Sequence, residues 1–146
     1  MSQRISCLEL PVKGQPMVQA TTHNVTVAVE TRYLEDDSDP DEQYFIWAYR
    51  ITITNQRPDT VQLLTRYWLI TDAQGRAQEV RGDGVVGEQP ILTPGKSFTY
   101  TSGVPLETGS GFMRGSYQMR NEADEKFDIE IPAFSLDCPY DGRQVH

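Results

Sequence analysis

At 146 residues the chain has the length of one domain, enough to bury roughly two thirds of its unfolded surface and to fold without staples. Its formal net charge of −8 repels nucleic-acid backbones and anionic membrane surfaces, so neither nucleic acid nor membrane is an expected partner. The charge is uneven: Glu35, Asp36, Asp37, Asp39, Asp41 and Glu42 place six acids in one short segment.

The first residues, Met1 to Leu10, lack the continuous apolar core of a signal peptide, and the longest strongly apolar stretch, Tyr44 to Tyr49, is far short of the roughly 20 residues a membrane span needs. A cytoplasmic protein is the expectation. Cys7 and Cys138 lie near opposite ends, form no CxxC pair and no metal-ligand spacing, and are read as reduced thiols. Pro11, Gly14 and Pro16 interrupt a stretch without period, which predicts an irregular leader over residues 1–22 and a folded domain over 23–146.

Val25, Val27 and Val29 alternate with Thr26, Ala28 and Glu30 at period two, the mark of a strand with one buried face. The acidic run follows as a hairpin loop. Next, Phe45, Trp47, Tyr49, Ile51 and Ile53 point one way and Ile46, Ala48, Arg50 and Thr52 the other, which predicts a central strand. Asn55 to Asp59 supplies a turn, and Val61 to Thr71 a third long strand with apolar residues on both faces. Asp72 to Gly75 makes a hairpin turn into a short polar strand, Arg76 to Arg81. Ser97 to Ser102 is a further strand. In the next, Met113, Gly115, Tyr117 and Met119 face inward, and in the last Phe127, Ile129, Ile131 and Ala133 share one face. About seven turn-separated strands and no apolar helical stripe predict an all-β antiparallel sandwich, with a barrel as the alternative.

The stretch from Arg66 to Gly87 is the densest in information. Arg66-Tyr67-Trp68-Leu69-Ile70 leads through a turn into Arg81-Gly82-Asp83-Gly84-Val85-Val86-Gly87, which spells GxGxxG. That fingerprint captures a pyrophosphate only where its last glycine opens a helix. Pro90 and Pro94 follow closely, and each removes a backbone donor and pushes its predecessor toward extended geometry, so the motif is expected in a loop between strands.

The same block resembles the ApaG family of small bacterial proteins. So do Phe45-Ile46-Trp47-Ala48-Tyr49, Ile51-Thr52-Ile53-Thr54-Asn55, Val61-Gln62-Leu63-Leu64, Tyr100-Thr101-Ser102-Gly103, Gly111 to Tyr117, and Ile129 to Phe134, an ordered series that covers roughly His23 to Pro139. The resemblance implies an immunoglobulin-like or fibronectin type III-like sandwich. It also implies associations with cobalt resistance and magnesium efflux, and related eukaryotic domains that look like partner-binding modules.

Chemistry in the residues themselves is sparse. Gly82, Gly84 and Gly87 could let backbone N–H groups converge on an anion, with Arg81 in the loop and Arg66 and Arg76 lending charge; equally, the glycines could simply shape the connection. Asp83 and Glu88 would oppose a phosphate. Asp37, Asp39 and Asp41 match the opening of an EF-hand loop, but Glu42 and Ala48 stand where its glycine and glutamate are required, so no metal site is expected. His23 opens a predicted strand, His146 ends the chain, and no GxSxG elbow exists, so neither a catalytic residue nor a cofactor is assigned. Trp47, Tyr49, Tyr67 and Trp68 fill the sandwich, or any of them left on an outer face joins a protein-docking patch; an edge strand is a further docking route. The expectation is a non-catalytic module that binds a protein partner. Its alternative is a binder of phosphate, pyrophosphate or a nucleotide at the glycine loop.

Overall fold

The computed structural model describes residues 17–138. The valine alternation forms β2 (Val25–Tyr33), preceded by β1 (Val18–Thr22), and the aromatic series forms β3 (Phe45–Asn55). β4 (Val61–Asp72), β5 (Ala77–Asp83), β6 (Ile91–Leu92), β7 (Ser97–Leu106), β8 (Ser110–Asn121) and β9 (Lys126–Asp137) complete the order. The described residues therefore hold nine strands, two beyond the roughly seven expected. β1 lies inside the segment expected to be irregular. It forms because His23 and Asn24 both take positive φ, 51° and 61°, and turn the chain back tightly enough to pair Thr22 with Val25. His23 thus occupies a hairpin corner rather than opening a strand, with its ring 5.3 Å from that of Phe127. Residues 1–16 and 139–146 lie outside the described residues.

All pairings are antiparallel, in two sheets ordered β1-β2-β3-β7 and β5-β4-β8-β9, with the two-residue β6 continuing the β5 edge of β4. Setting β1 aside, β2-β3-β7 over β5-β4-β8-β9 is a fibronectin type III-like arrangement of a two-sheet sandwich. On one side the sheets meet: the Glu130 backbone N–H donates to Thr22 Oγ1 at 3.2 Å, joining β9 to the end of β1. On the other side β5 and β7 are edge strands.

The core lies between the sheets. Val25, Val27, Val29, Trp47, Ile51 and Ile53 from the first sheet meet Leu63, Trp68, Met113, Tyr117, Met119, Ile129 and Ile131 from the second, all buried. Tyr49, Trp68 and Phe134 form a ring cluster with centroids 5.4–6.2 Å apart, within the range of favourable aromatic packing.

Two bulges decide what faces out. Leu63 pairs with Met119 and Thr65 with Gln118, so Leu64 is one residue in excess on β4 and the facing pattern flips there. Leu63 is buried on one side of the flip and Trp68 and Ile70 on the other, which explains why this strand reads as apolar on both faces. On β9, Met113 pairs with Phe134 but Gly115 with Ile131, an excess at Pro132–Ala133. Pro132 has no N–H to give the ladder, and after it Phe134 and Leu136 point inward. Ala133, expected on the inner face, is exposed for this reason.

Cys138, 2% exposed, is disulfide-bonded, which corrects the expectation of a reduced thiol. Spacing along a chain carries no signal for a bond that the fold makes. Cys7 lies outside the described residues.

The acidic run forms two short 3-10 turns, Glu35–Asp37 and Pro40–Glu42. Ser38 ties them to the sheet, its hydroxyl donating to the Leu34 carbonyl at 2.8 Å and accepting the Ile46 N–H at 3.0 Å.

Candidate functional site

β4 carries both candidate surfaces, because the bulge at Leu64 sends Arg66, Trp68 and Ile70 inward and Tyr67, Leu69 and Thr71 outward. On the inner side, Gly82 of β5 lies opposite Arg66 in register. A Cβ built on Gly82 would stand 2.8 Å from both Nη1 and Nη2 of Arg66 and 2.9 Å from its Cζ, so the guanidinium lies flat on the Gly82 backbone. Nη1 donates to the carbonyls of Asp83 at 3.1 Å and Gly84 at 2.9 Å.

The glycine motif ends in a tight hairpin. Val85 and Glu88 exchange both backbone bonds, at 2.8 and 2.9 Å, with Val86 (φ 42°) and Gly87 (φ 83°) at the corners, the positive-φ pair that a type I′ turn demands. Gly84, at φ 66°, donates its N–H to the Leu64 carbonyl, 2.8 Å away in the β4 bulge. Three loop amides, those of Gly84, Val85 and Glu88, are thus bonded within the protein, and among the described residues no helix follows the motif.

The expected arginines separate. Arg66 is at the loop. Arg81 turns to the outer face, its guanidinium 4.5 Å above the Tyr67 ring and 3.9 Å from Glu79. Arg76 stands at the opposite end of the β4–β5 hairpin, pairing with Asp72 at 2.7 Å and Glu107 at 3.2 Å. Six residues of strand, about 20 Å, separate it from the glycine loop. Beside it, Tyr44, Ile70, Pro105 and Leu106 line an open cleft of about 420 Å³.

Arg66 also faces a buried cluster of phenols. The Tyr100 and Tyr117 hydroxyls are 2.5 Å apart, and Tyr49 lies close enough to act on both. Burial raises the pKa of Tyr49, Tyr100 and Tyr117, and the Arg66 charge opposes each rise. Unfolded tyrosine ionises near pH 10. A phenol whose pKa is raised by folding contributes stability that is intact below that pH and lost as pH climbs through the folded value. Stability is therefore expected to fall steeply above about pH 10, with the absorbance of Tyr100 and Tyr117 phenolate appearing only with unfolding. A spectrophotometric titration run beside circular dichroism checks this.

On the outer side of the second sheet the register lines up a patch. Tyr67 sits between Arg81 and Ser116, Leu69 between Glu79 and Arg114, and Thr71 between Ala77 and Phe112. Phe112 is 44% exposed, the Tyr67 hydroxyl donates to Glu79 Oε2 at 2.7 Å, and Arg114 makes no ion pair among the described residues. Of the four aromatics read as core or docking surface, Trp47, Tyr49 and Trp68 are buried and Tyr67 alone takes this face. Leu69, Phe112 and Arg114 were not legible as site residues. The sequence signals were the adjacent Leu69-Ile70 and Phe112-Met113 pairs, each of which sends its two apolar side chains to opposite faces.

The outer face of the first sheet differs in kind. Thr21 and Thr26, Thr52 and Thr99, and Thr54 and Ser97 pair their hydroxyls at 2.7–3.0 Å, and Arg50 bonds Glu30. These hydroxyls and the Arg50–Glu30 pair satisfy one another.

Among the described residues no group of three or more His, Cys, Asp or Glu is placed to hold a metal ion, and no helix is long and apolar enough to cross a membrane.

Two sheets of this order, with one hydroxyl-paired face and one aromatic face, define a small fibronectin type III-like sandwich domain. The ApaG domain model matches residues 35–121, and the chain belongs to that family. It is 55% identical over 130 residues to a Parvibaculum lavamentivorans protein named Protein ApaG, covering 89% of this chain and 100% of that one. A Mesorhizobium japonicum protein of the same name is 58% identical with the same coverage. Among solved structures, the crystal structure of the putative ApaA protein from Bordetella pertussis superposes with a TM-score of 0.78 at 45% identity, covering 82% of this chain and 97% of that one.

Proposed function

We propose that the domain is a non-catalytic interaction module that docks a partner protein on the outer face of the β5-β4-β8-β9 sheet. The observation that carries this reading is the contrast between the two outer faces. One is closed by hydroxyl pairs, whereas the other displays Tyr67, Leu69 and Phe112 flanked by Arg81 and Arg114. Tyrosine and arginine dominate the residues that carry binding energy at interfaces, and an apolar centre with a charged rim is the usual anatomy. Arg114, which pairs with no carboxylate among the described residues, favours a partner that brings acidic groups to the rim despite the chain's net charge of −8.

Leu69→Asp with Phe112→Asp is expected to abolish partner capture from cell extract while leaving the circular dichroism spectrum unchanged and the unfolding free energy within about 1 kcal/mol of the parent, since both side chains point away from the core. Thr52→Asp with Thr99→Asp, on the other outer face, is expected to leave capture intact. Equal loss from both pairs, or from neither, sinks the assignment.

A further inference from the structure

The geometry points to a carboxylate-binding site at Arg66, on the side of the sandwich where β5 and β7 have no further strand partner among the described residues. Nη1 is spent on the Asp83 and Gly84 carbonyls, which fixes the guanidinium in place. The Nε and Nη2 edge has no hydrogen-bond partner and no carboxylate among the described residues. That edge presents two parallel N–H bonds, the fork that a carboxylate accepts through both oxygens. The group is half-buried, so its charge is partly desolvated and an incoming anion gains more than at an exposed lysine. Gly82 makes the arrangement possible, because any side chain there would occupy the space of the guanidinium.

The charge available sets the class of ligand. Arg81 is stacked on Tyr67 on the outer face, Arg76 is paired with Asp72 and Glu107 at the far end of the hairpin, and the loop amides of Gly84, Val85 and Glu88 are already bonded. One guanidinium, with three of the neighbouring loop amides already bonded within the protein, balances a single negative charge. Asp83 and Glu88 beside it, on a chain of net charge −8, disfavour a second. A monoanionic carboxylate fits this site better than pyrophosphate does. It could arrive on a small organic acid or at the C-terminus of a peptide lying along the open edge.

The test is a titration of the full chain followed through the Arg66 Nε–H resonance, with sodium acetate, inorganic phosphate, sodium chloride, and a short acetylated peptide carrying either a free or an amidated C-terminus. Acetate is expected to give a saturable shift with an apparent Kd on the order of 1–10 mM, and chloride none. A free-acid peptide at least tenfold tighter than acetate, with its amide silent, identifies a chain terminus as the source; equal affinity identifies a small acid. Arg66→Lys, which keeps the charge and loses the fork, is expected to weaken binding at least tenfold. Should that variant fail to fold, Gly82→Ala displaces the guanidinium instead, with the same expected loss. Absence of saturation by acetate, saturation by phosphate alone, or undiminished affinity in a folded variant overturns the proposal.

Discussion

Trp47→Ala is expected to cost about 3–5 kcal/mol, a large share of the stability of a domain this size. The indole is fully buried, packs edge-on against Tyr33 with centroids 5.4 Å apart, and lies 6.5 Å from the Phe45 ring. Its Nε1–H also crosses the sandwich to the Asp137 carbonyl at 3.1 Å, so truncation leaves both a cavity and an unpaired acceptor at the end of β9. Trp47→Phe, which keeps most of the volume and loses the N–H, is expected to cost about 1–3 kcal/mol. Urea unfolding of both variants separates packing from hydrogen bonding. A Trp47→Ala loss below about 1 kcal/mol would mean that the two sheets are not joined through this ring.

The second large effect is expected at Gly115. A Cβ there would stand 2.0 Å from the Tyr67 carbonyl oxygen, 3.1 Å from its carbon and 3.2 Å from the Trp68 Cα. All three atoms are backbone, so no side chain can swing aside and the β4–β8 ladder must open. Gly115→Ala is expected to cost at least the upper end of the usual overpacking range, about 3 kcal/mol. It would also disturb the outer patch, since Tyr67 and Leu69 flank the contact on β4. Gly103→Ala is the opposite case. Its Cβ would meet the Trp47 carbonyl at an ordinary 3.5 Å, and restricting the unfolded chain is expected to make this change neutral or stabilising by up to about 1 kcal/mol. Thermal melts of the two variants should therefore move apart.

Strand interiors were legible because a half-buried strand must alternate. Val25, Val27 and Val29, the series from Phe45 to Ile53, and Met113, Tyr117 and Met119 all face as their period requires. What period two cannot reveal is where it breaks. The excess residues at Leu64 and at Pro132–Ala133 reverse the facing of everything beyond them, and the first reversal creates the site by sending Arg66 inward and Tyr67 outward. Pro132 could have raised suspicion of a bulge; Leu64 carries no comparable mark. Of the motif's glycines, all expected in a loop, Gly84 and Gly87 hold positive φ at the turn, whereas Gly82 instead extends β5. The fates of Arg66, Arg76 and Arg81 were not legible, because residues close in sequence can be sent to different faces and to opposite ends of one hairpin.

The role of the aromatic face is tested most directly by photocrosslinking in the native cell, with a photoreactive amino acid placed in turn at Leu69, Phe112, Ala28 and Thr52. A discrete adduct of one and the same protein from positions 69 and 112, with none from 28 and 52, is the predicted result. Adducts from the threonine face, with silence at 69 and 112, would contradict it.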